Sequence, residues 1–207
     1  MSTELFSSEV EKELLKFTQG DLRSPNFADY GAGARTISSM SSATYAIPER
    51  CDIAILRRLF DRPRIVPHPP STVLQGDVGP GSCWPMAGSS GYITINLSEP
   101  IWITNVTVDH APPTSPREVD SAPRSFVLWA MTEQSPLKRT IPSGFTLVAL
   151  AEFQYDIRYL WHVQTFNIAG AHGFRANTVI FQILDNWGST DFTCLYGLRV
   201  RGEPLRS

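Results

Sequence analysis

The chain has 207 residues, of which 42% are hydrophobic and 18% charged, a balance that supports one globular domain with a sizeable core. Its formal net charge of −2, with 18 Lys and Arg scattered along the chain, speaks against a nucleic-acid surface, which needs clustered cations. No stretch approaches the roughly 20 apolar residues of a membrane span, the amino terminus lacks an apolar signal-peptide core, and three cysteines are too few for a disulfide scaffold and lack zinc-site spacing.

In chain order, Ser8 to Phe17 (SEVEKELLKF) place Val10, Leu14 and Phe17 on one helical face, with Ser7 or Ser8 as cap and Glu11 as a capping-box partner. This predicts a short helix that either packs on the domain or continues a coiled coil upstream. From Asp29, the run DYGAGARTISSMSSATY reads as extended segments and turns. Residues 46 to 70, hydrophobic and basic and ending in Pro67, Pro69 and Pro70, form either a short helix or a projecting hairpin. The stretch GSCWPMAGSSGY is turn-rich, so its Cys83 asks for a partner, a ligand or a reaction rather than simple burial. After it come YITINL, IWITNVTVDH, SFVLWAM, FTLVALAEF, WHVQTFNI, TVIFQIL and TCLYGLRVRG. Apolar or alternating runs at this spacing, with no convincing helices between them, predict an all-β antiparallel sandwich of jelly-roll type with a short N-terminal helix.

Catalytic readings find little support. Asp109, His110 and Ser121 include triad residue types, but no nucleophile elbow accompanies them. No thiol-protease signature surrounds Cys83, and the four His lack metal-ligand spacing. Asn96-Leu97-Ser98 and Asn105-Val106-Thr107 are glycosylation sequons, used only in a lumenal chain.

Several ordered blocks then resemble one family. Gly-x-Cys-Trp followed by Gly-x-x-Gly-Tyr, the Asp-His-Ala-Pro segment, Ser-Ala-Pro-Arg, and Asn-Trp-Gly with Thr-Cys-Leu-Tyr together are similar to a SUN domain, from about Asp29 to Pro204. The resemblance implies residues 1–28 as helix and linker at the end of a coiled-coil region, and 29–207 as the SUN domain. It implies a non-enzymatic domain in the perinuclear space, anchored in the inner nuclear membrane through a segment absent here, that joins nucleus to cytoskeleton.

Its ligand would be a KASH peptide, the proline-rich C-terminal tail of an outer-membrane protein, held with its carboxylate by His110, Ser121, Phe192 and Tyr196. Phe192 stands where the better-known animal members have Tyr, which removes one hydrogen bond worth about 0.5–1.5 kcal/mol net. The resemblance also pairs Cys83 with Cys194 and makes Gln75 to Cys83 a loop binding potassium or sodium. Thr72, Gln75, Asp77, Ser82 and Tyr196 would supply oxygens, mainly from the main chain.

Residues 45–69 match the family's lid, which adds a strand across the peptide; the position of its tethering Cys is Ser41 here, which excludes a covalent link there, and Cys51 either takes over the tether if the lid presents it suitably or stays a free thiol. Members work as trimers. Two other readings stay open: a carbohydrate-binding module using Trp84, Trp102, Trp129, Trp161 or Trp187, and a SUN-like interaction domain that does not bind KASH tails.

Overall fold

The computed structural model describes residues 25–46, 67–132, 146–160, 162–168 and 175–204. The expected N-terminal helix and nearly all of the expected lid, with Cys51 and Trp161, lie outside the described residues. Among those described, nine strands and one α-helix follow each other as β1 (Arg35–Thr36), β2 (Trp84–Ala87), β3 (Gly91–Asp109), α1 (Pro116–Ser121), β4 (Pro123–Thr132), β5 (Thr146–Gln154), β6 (Val163–Asn167), β7 (Ala176–Asn186), β8 (Phe192–Leu195) and β9 (Gly197–Pro204). Every strand pairing is antiparallel, as the alternating patterns predict.

The two runs YITINL and IWITNVTVDH are one strand, β3, rather than two. Its register with β7 breaks between Asn96 and Ile101, around Pro100, which has no N–H to give a ladder. Before the break β3 pairs with β7 and β1; after it, apart from Ile101 opposite Ala176 of β7, it pairs with β9 and β6. A bend of this kind lets one strand serve both layers of a sandwich. Alternation sends Ile93, Ile95 and Leu97 inward and leaves Tyr92 and Asn96 outside. They meet Val179, Phe181 and Ile183 of β7 and Phe126, Leu128 and Ala130 of β4 in a single core. Each such apolar side chain contributes about 1.5–3 kcal/mol on burial. Phe153 stacks between Phe126 and Phe166, at 5.1 and 4.4 Å between ring centroids.

The run TCLYGLRVRG is also divided. β8 pairs with β2 in a separate ribbon, and β9 pairs with β3. β2 lies inside the stretch read as turn: Trp84 and Met86 are fully buried, and Pro85 offers its carbonyl to the Tyr45 N–H at 2.7 Å. The expectation that no helix separates the strands fails at α1. Pro116 occupies its first turn and Glu118 reaches back to the Ser115 N–H at 3.1 Å, so the Ser-x-x-Glu start signal was present in the sequence.

Candidate functional site

Strand alternation builds the site on β8. Thr193 and Leu195 point toward the sandwich, where Leu195 joins the main core and the Thr193 hydroxyl meets the Gly88 carbonyl at 2.9 Å. Phe192, Cys194 and Tyr196 gather instead with Cys83 and Ala111 in a second buried cluster, against which Tyr45 and Val78 pack. The β2–β8 register sets Trp84 opposite Leu195 and so delivers Cys83 to Cys194. The two form a disulfide with Cα atoms 5.5 Å apart and a sequence separation of 111, the pairing the resemblance implies.

His110, just past the end of β3, brings its ring to 4.6 Å from Tyr196, tilted by 59°, and to 6.0 Å from Tyr155. Its Nδ1 lies 2.7 Å from the Ala111 carbonyl, which can only accept, so the proton resides on Nδ1. Nε2 is then a bare acceptor, buried and without a hydrogen-bond partner. Burial depresses the His110 pKa to about 4, helped by nearby His162 and opposed by the Ala111 hydrogen bond and Glu118. The ring is therefore neutral at pH 7. On the residue before it, fully buried Asp109 accepts from Arg199 Nε at 2.6 Å, securing this end of β3 to β9.

The helix α1 packs against β8. Ser121 is buried at its last position, where its hydroxyl donates to the Glu118 carbonyl at 3.3 Å. Its hydrogen bond thus serves the helix, while His110, Phe192 and Tyr196 share the cluster around the disulfide. Burial pushes the Glu118 carboxyl up, but the Thr114 N–H and hydroxyl and the Ser115 N–H outweigh it and hold the group below the usual range. The Phe192 ring is covered from two sides. Tyr45 stacks on it at 5.3 Å, and the Arg117 guanidinium sits 5.5 Å from its centroid. Tyr155, Arg117 and Glu118 were not among the residues expected from the sequence, and Tyr45 was expected only as the first residue of the lid; of these, only Glu118 left a sequence signal, its capping motif.

Ser41, where the tethering Cys would be, has a structural task. Its hydroxyl donates to the Ile37 carbonyl at 2.9 Å and accepts the Thr94 N–H at 3.0 Å, fixing the preceding turn to β3.

The expected cation loop starts after a short 3-10 turn, Pro70–Leu74. Gly76 and Gly81 have φ of 70° and 83°, conformations open to glycine and strained for other residues. Thr72 is buried, Ser82 half-buried, and Gln75 and Asp77 exposed. The Gly81 N–H donates to Tyr196 Oη at 3.4 Å, so one side chain joins the loop to the cluster. Asp77 Oδ1 already accepts the Gly79 N–H at 2.9 Å. Carbonyl and hydroxyl oxygens with a single carboxylate suit a hard monovalent ion. Among the described residues no three His, Cys, Asp or Glu converge on a metal position. Of the sequons, Asn96 is exposed on β3, while the Asn105 side-chain carbonyl is buried.

A family model described as Sad1 / UNC-like C-terminal matches residues 66–204. SUN domain-containing protein 2 of Mus musculus is 31% identical over 198 residues, covering 94% of this chain and 25% of its own length. SUN domain-containing protein 5 of Homo sapiens is 29% identical over 197 residues, covering 94% of this chain and 48% of its own. The chain thus spans between a quarter and a half of these relatives. Among solved structures, the family 32 carbohydrate-binding module from Streptococcus pneumoniae EndoD superposes with a TM-score of 0.54 at 15% identity, over 85% of this chain and 98% of that one. The C-terminal domain of a chitobiase from Bacteroides fragilis does so at 0.56 and 11% identity, over 88% and 99%. Identities this low speak to the shared β-sandwich alone.

Proposed function

Because the chain belongs to the SUN-domain family, we propose that it binds the C-terminal, proline-rich tail of a KASH protein in the perinuclear space, as the inner half of a bridge that carries force between nucleus and cytoskeleton. The observation that most supports this is the buried cluster on β8, where His110 and Tyr196 meet beside the Cys83–Cys194 disulfide and His110 Nε2 has no donor. An unpartnered buried acceptor costs free energy until something donates to it. A peptide N–H does so, and the proline-rich part of a tail arrives already extended.

In this reading Ser121, Phe192 and Tyr196 complete the peptide seat. The 75–83 loop holds a potassium or sodium ion that stiffens the Tyr196 side of it. The assembly is a homotrimer, and membrane anchoring falls to a segment outside these 207 residues; among the described residues no helix is long and apolar enough to cross a membrane. The domain works by holding, and no chemical step is assigned to it. The carbohydrate reading rests on shared shape, and among the described residues it lacks an exposed tryptophan platform: Trp84 is fully buried, and Trp102, Trp129 and Trp187 are half-buried.

The test is binding of fluorescent KASH-tail peptides, as free acids and as carboxamides, to the whole chain fused to a trimeric coiled coil, which removes assembly as a cause of failure. Binding of the acid, weakened by His110→Ala and Tyr196→Ala, is the expected result. Failure of every tail to bind, together with glycan binding that survives both substitutions, would overturn it.

A further inference from the structure

The groups gathered around the disulfide offer a tail an acceptor, the Tyr196 hydroxyl and apolar surface, but none of them offers its carboxylate a cation. The local field works against an anion, because Glu118 is near enough for its charge to act on both His110 and Tyr196. A carboxylate docking there needs a compensating positive charge. The residue beside Glu118 on α1 supplies one.

Arg117 is exposed, and its guanidinium lies 5.5 Å from the centroid of the Phe192 ring. An aromatic face holds a cation in place without neutralising it. Among the described residues the ion pairs engage Arg124, Arg158 and Arg199, and no carboxylate pairs with Arg117. Its neighbour is not a competitor, since the Glu118 carboxylate is already committed to Thr114 and Ser115. We infer that Arg117 is a specificity residue that recognises the terminal carboxylate of the bound tail at the Phe192 end of the site. The planar guanidinium can take a carboxylate through two parallel N–H bonds. The position in the family that lost a Tyr hydroxyl through Phe192 thus retains an anion-binding group from a neighbouring element. This inference rests on the peptide-binding reading above.

The test is a cycle between ligand and protein. The probes are one fluorescent proline-rich KASH-tail peptide as free acid and as carboxamide, titrated against the trimeric fusion of the full chain carrying Arg117, Arg117→Gln or Arg117→Lys. The wild type should prefer the acid by about tenfold, the scale of one charge-assisted hydrogen-bonded pair. Arg117→Gln should cut that preference to about threefold or less, the acid losing more affinity than the carboxamide. Arg117→Lys should restore part of the preference, and raising the salt concentration should erode it in the wild type. A wild-type acid preference that persists in Arg117→Gln would overturn the assignment of Arg117 and leave peptide binding intact. Failure of the wild type to bind either form would overturn the peptide reading and this inference together. Near-equal unfolding midpoints for the three proteins guard against a folding effect; α1 is capped by Glu118 and not by Arg117, so no more than the small loss of the Arg117–Phe192 contact is expected.

Discussion

His110 and Tyr196 meet ring to ring at 4.6 Å, and the hydrogen bonds of the two side chains diverge: His110 Nδ1 to the Ala111 carbonyl, Tyr196 Oη to the Gly81 N–H of the glycine-rich loop. The pair therefore ties the end of β3, the residue after β8 and the loop into one unit. Whatever charges His110 strains all three.

That charging sets a pH dependence. The His110 pKa falls from 6.5 to about 4 in the folded chain, through burial first. The unfolded chain takes up the proton at higher pH than the folded one, so stability is complete above pH 6.5 and is lost as pH falls toward 4. The difference is on the order of 3 kcal/mol. Urea unfolding of the wild type and of His110→Gln at pH 7, 5.5 and 4 should show the wild type losing this extra stability while the variant does not. Parallel pH profiles would refute the assignment.

The disulfide should stabilise the β2–β8 ribbon and the fold. Closing a loop of 111 residues restricts the unfolded chain, and loss of such a bond costs about 2–5 kcal/mol. Cys83→Ser with Cys194→Ser, or reduction of the wild type, should lower the urea midpoint accordingly and weaken tail binding by releasing Phe192 and Tyr196. An unchanged midpoint on verified reduction would show that the β8 ladder alone holds the site.

Glu118 has two roles that substitutions separate. Glu118→Gln keeps a side chain able to reach the Ser115 N–H but removes the charge felt at His110 and Tyr196. It should tighten binding of the free-acid peptide by about two- to threefold, the size of a weakly screened charge effect, and leave the carboxamide unaffected. Glu118→Ala should also destabilise the fold by about 1 kcal/mol through loss of the cap. Fluorescence titration and urea unfolding report the two effects independently.

Gly202 is fixed by a close approach. A Cβ there would overlap the carbonyl oxygen of Trp102 on the paired strand β3, and backbone cannot move aside as a flexible side chain can. Gly202→Ala should cost about 3 kcal/mol or more. Glu203→Ala, at the exposed next position, should stay within about 0.5 kcal/mol. Thermal or urea unfolding of the two variants checks this directly.

The loop at 75–83 predicts a response to ion identity. In the proposed reading, replacing potassium and sodium by tetramethylammonium, too large for a cage of carbonyls, removes a ligand of the folded state alone. The thermal midpoint should fall by a few degrees, since about 1 kcal/mol corresponds to roughly 2–4 °C at this size. Gly81→Ala, strained at a φ of 83°, should lower the midpoint and blunt the response. Equal midpoints in all three salts would argue against the ion.

Much of this was legible without coordinates because it is local. Period-two alternation in YITINL, SFVLWAM and TVIFQIL places Ile93, Phe126, Phe181 and their neighbours inward whatever they meet, so an antiparallel sandwich follows. The ordered blocks from Gly-x-Cys-Trp to Thr-Cys-Leu-Tyr carry the family, and with it the partner of Cys83. Pairing and burial are non-local, and those the tertiary structure decided. Only assembly shows that β3 runs through Pro100 into both layers, that TCLYGLRVRG divides between two sheets, and that WPMA is a strand because Cys194 and Leu195 stand across from Pro85 and Trp84. The same holds for the site. His110 is a neutral, bare acceptor because the fold buries it against Tyr196, and Arg117 stands over Phe192 because α1 packs on β8, contacts between residues that no sequence spacing brings together.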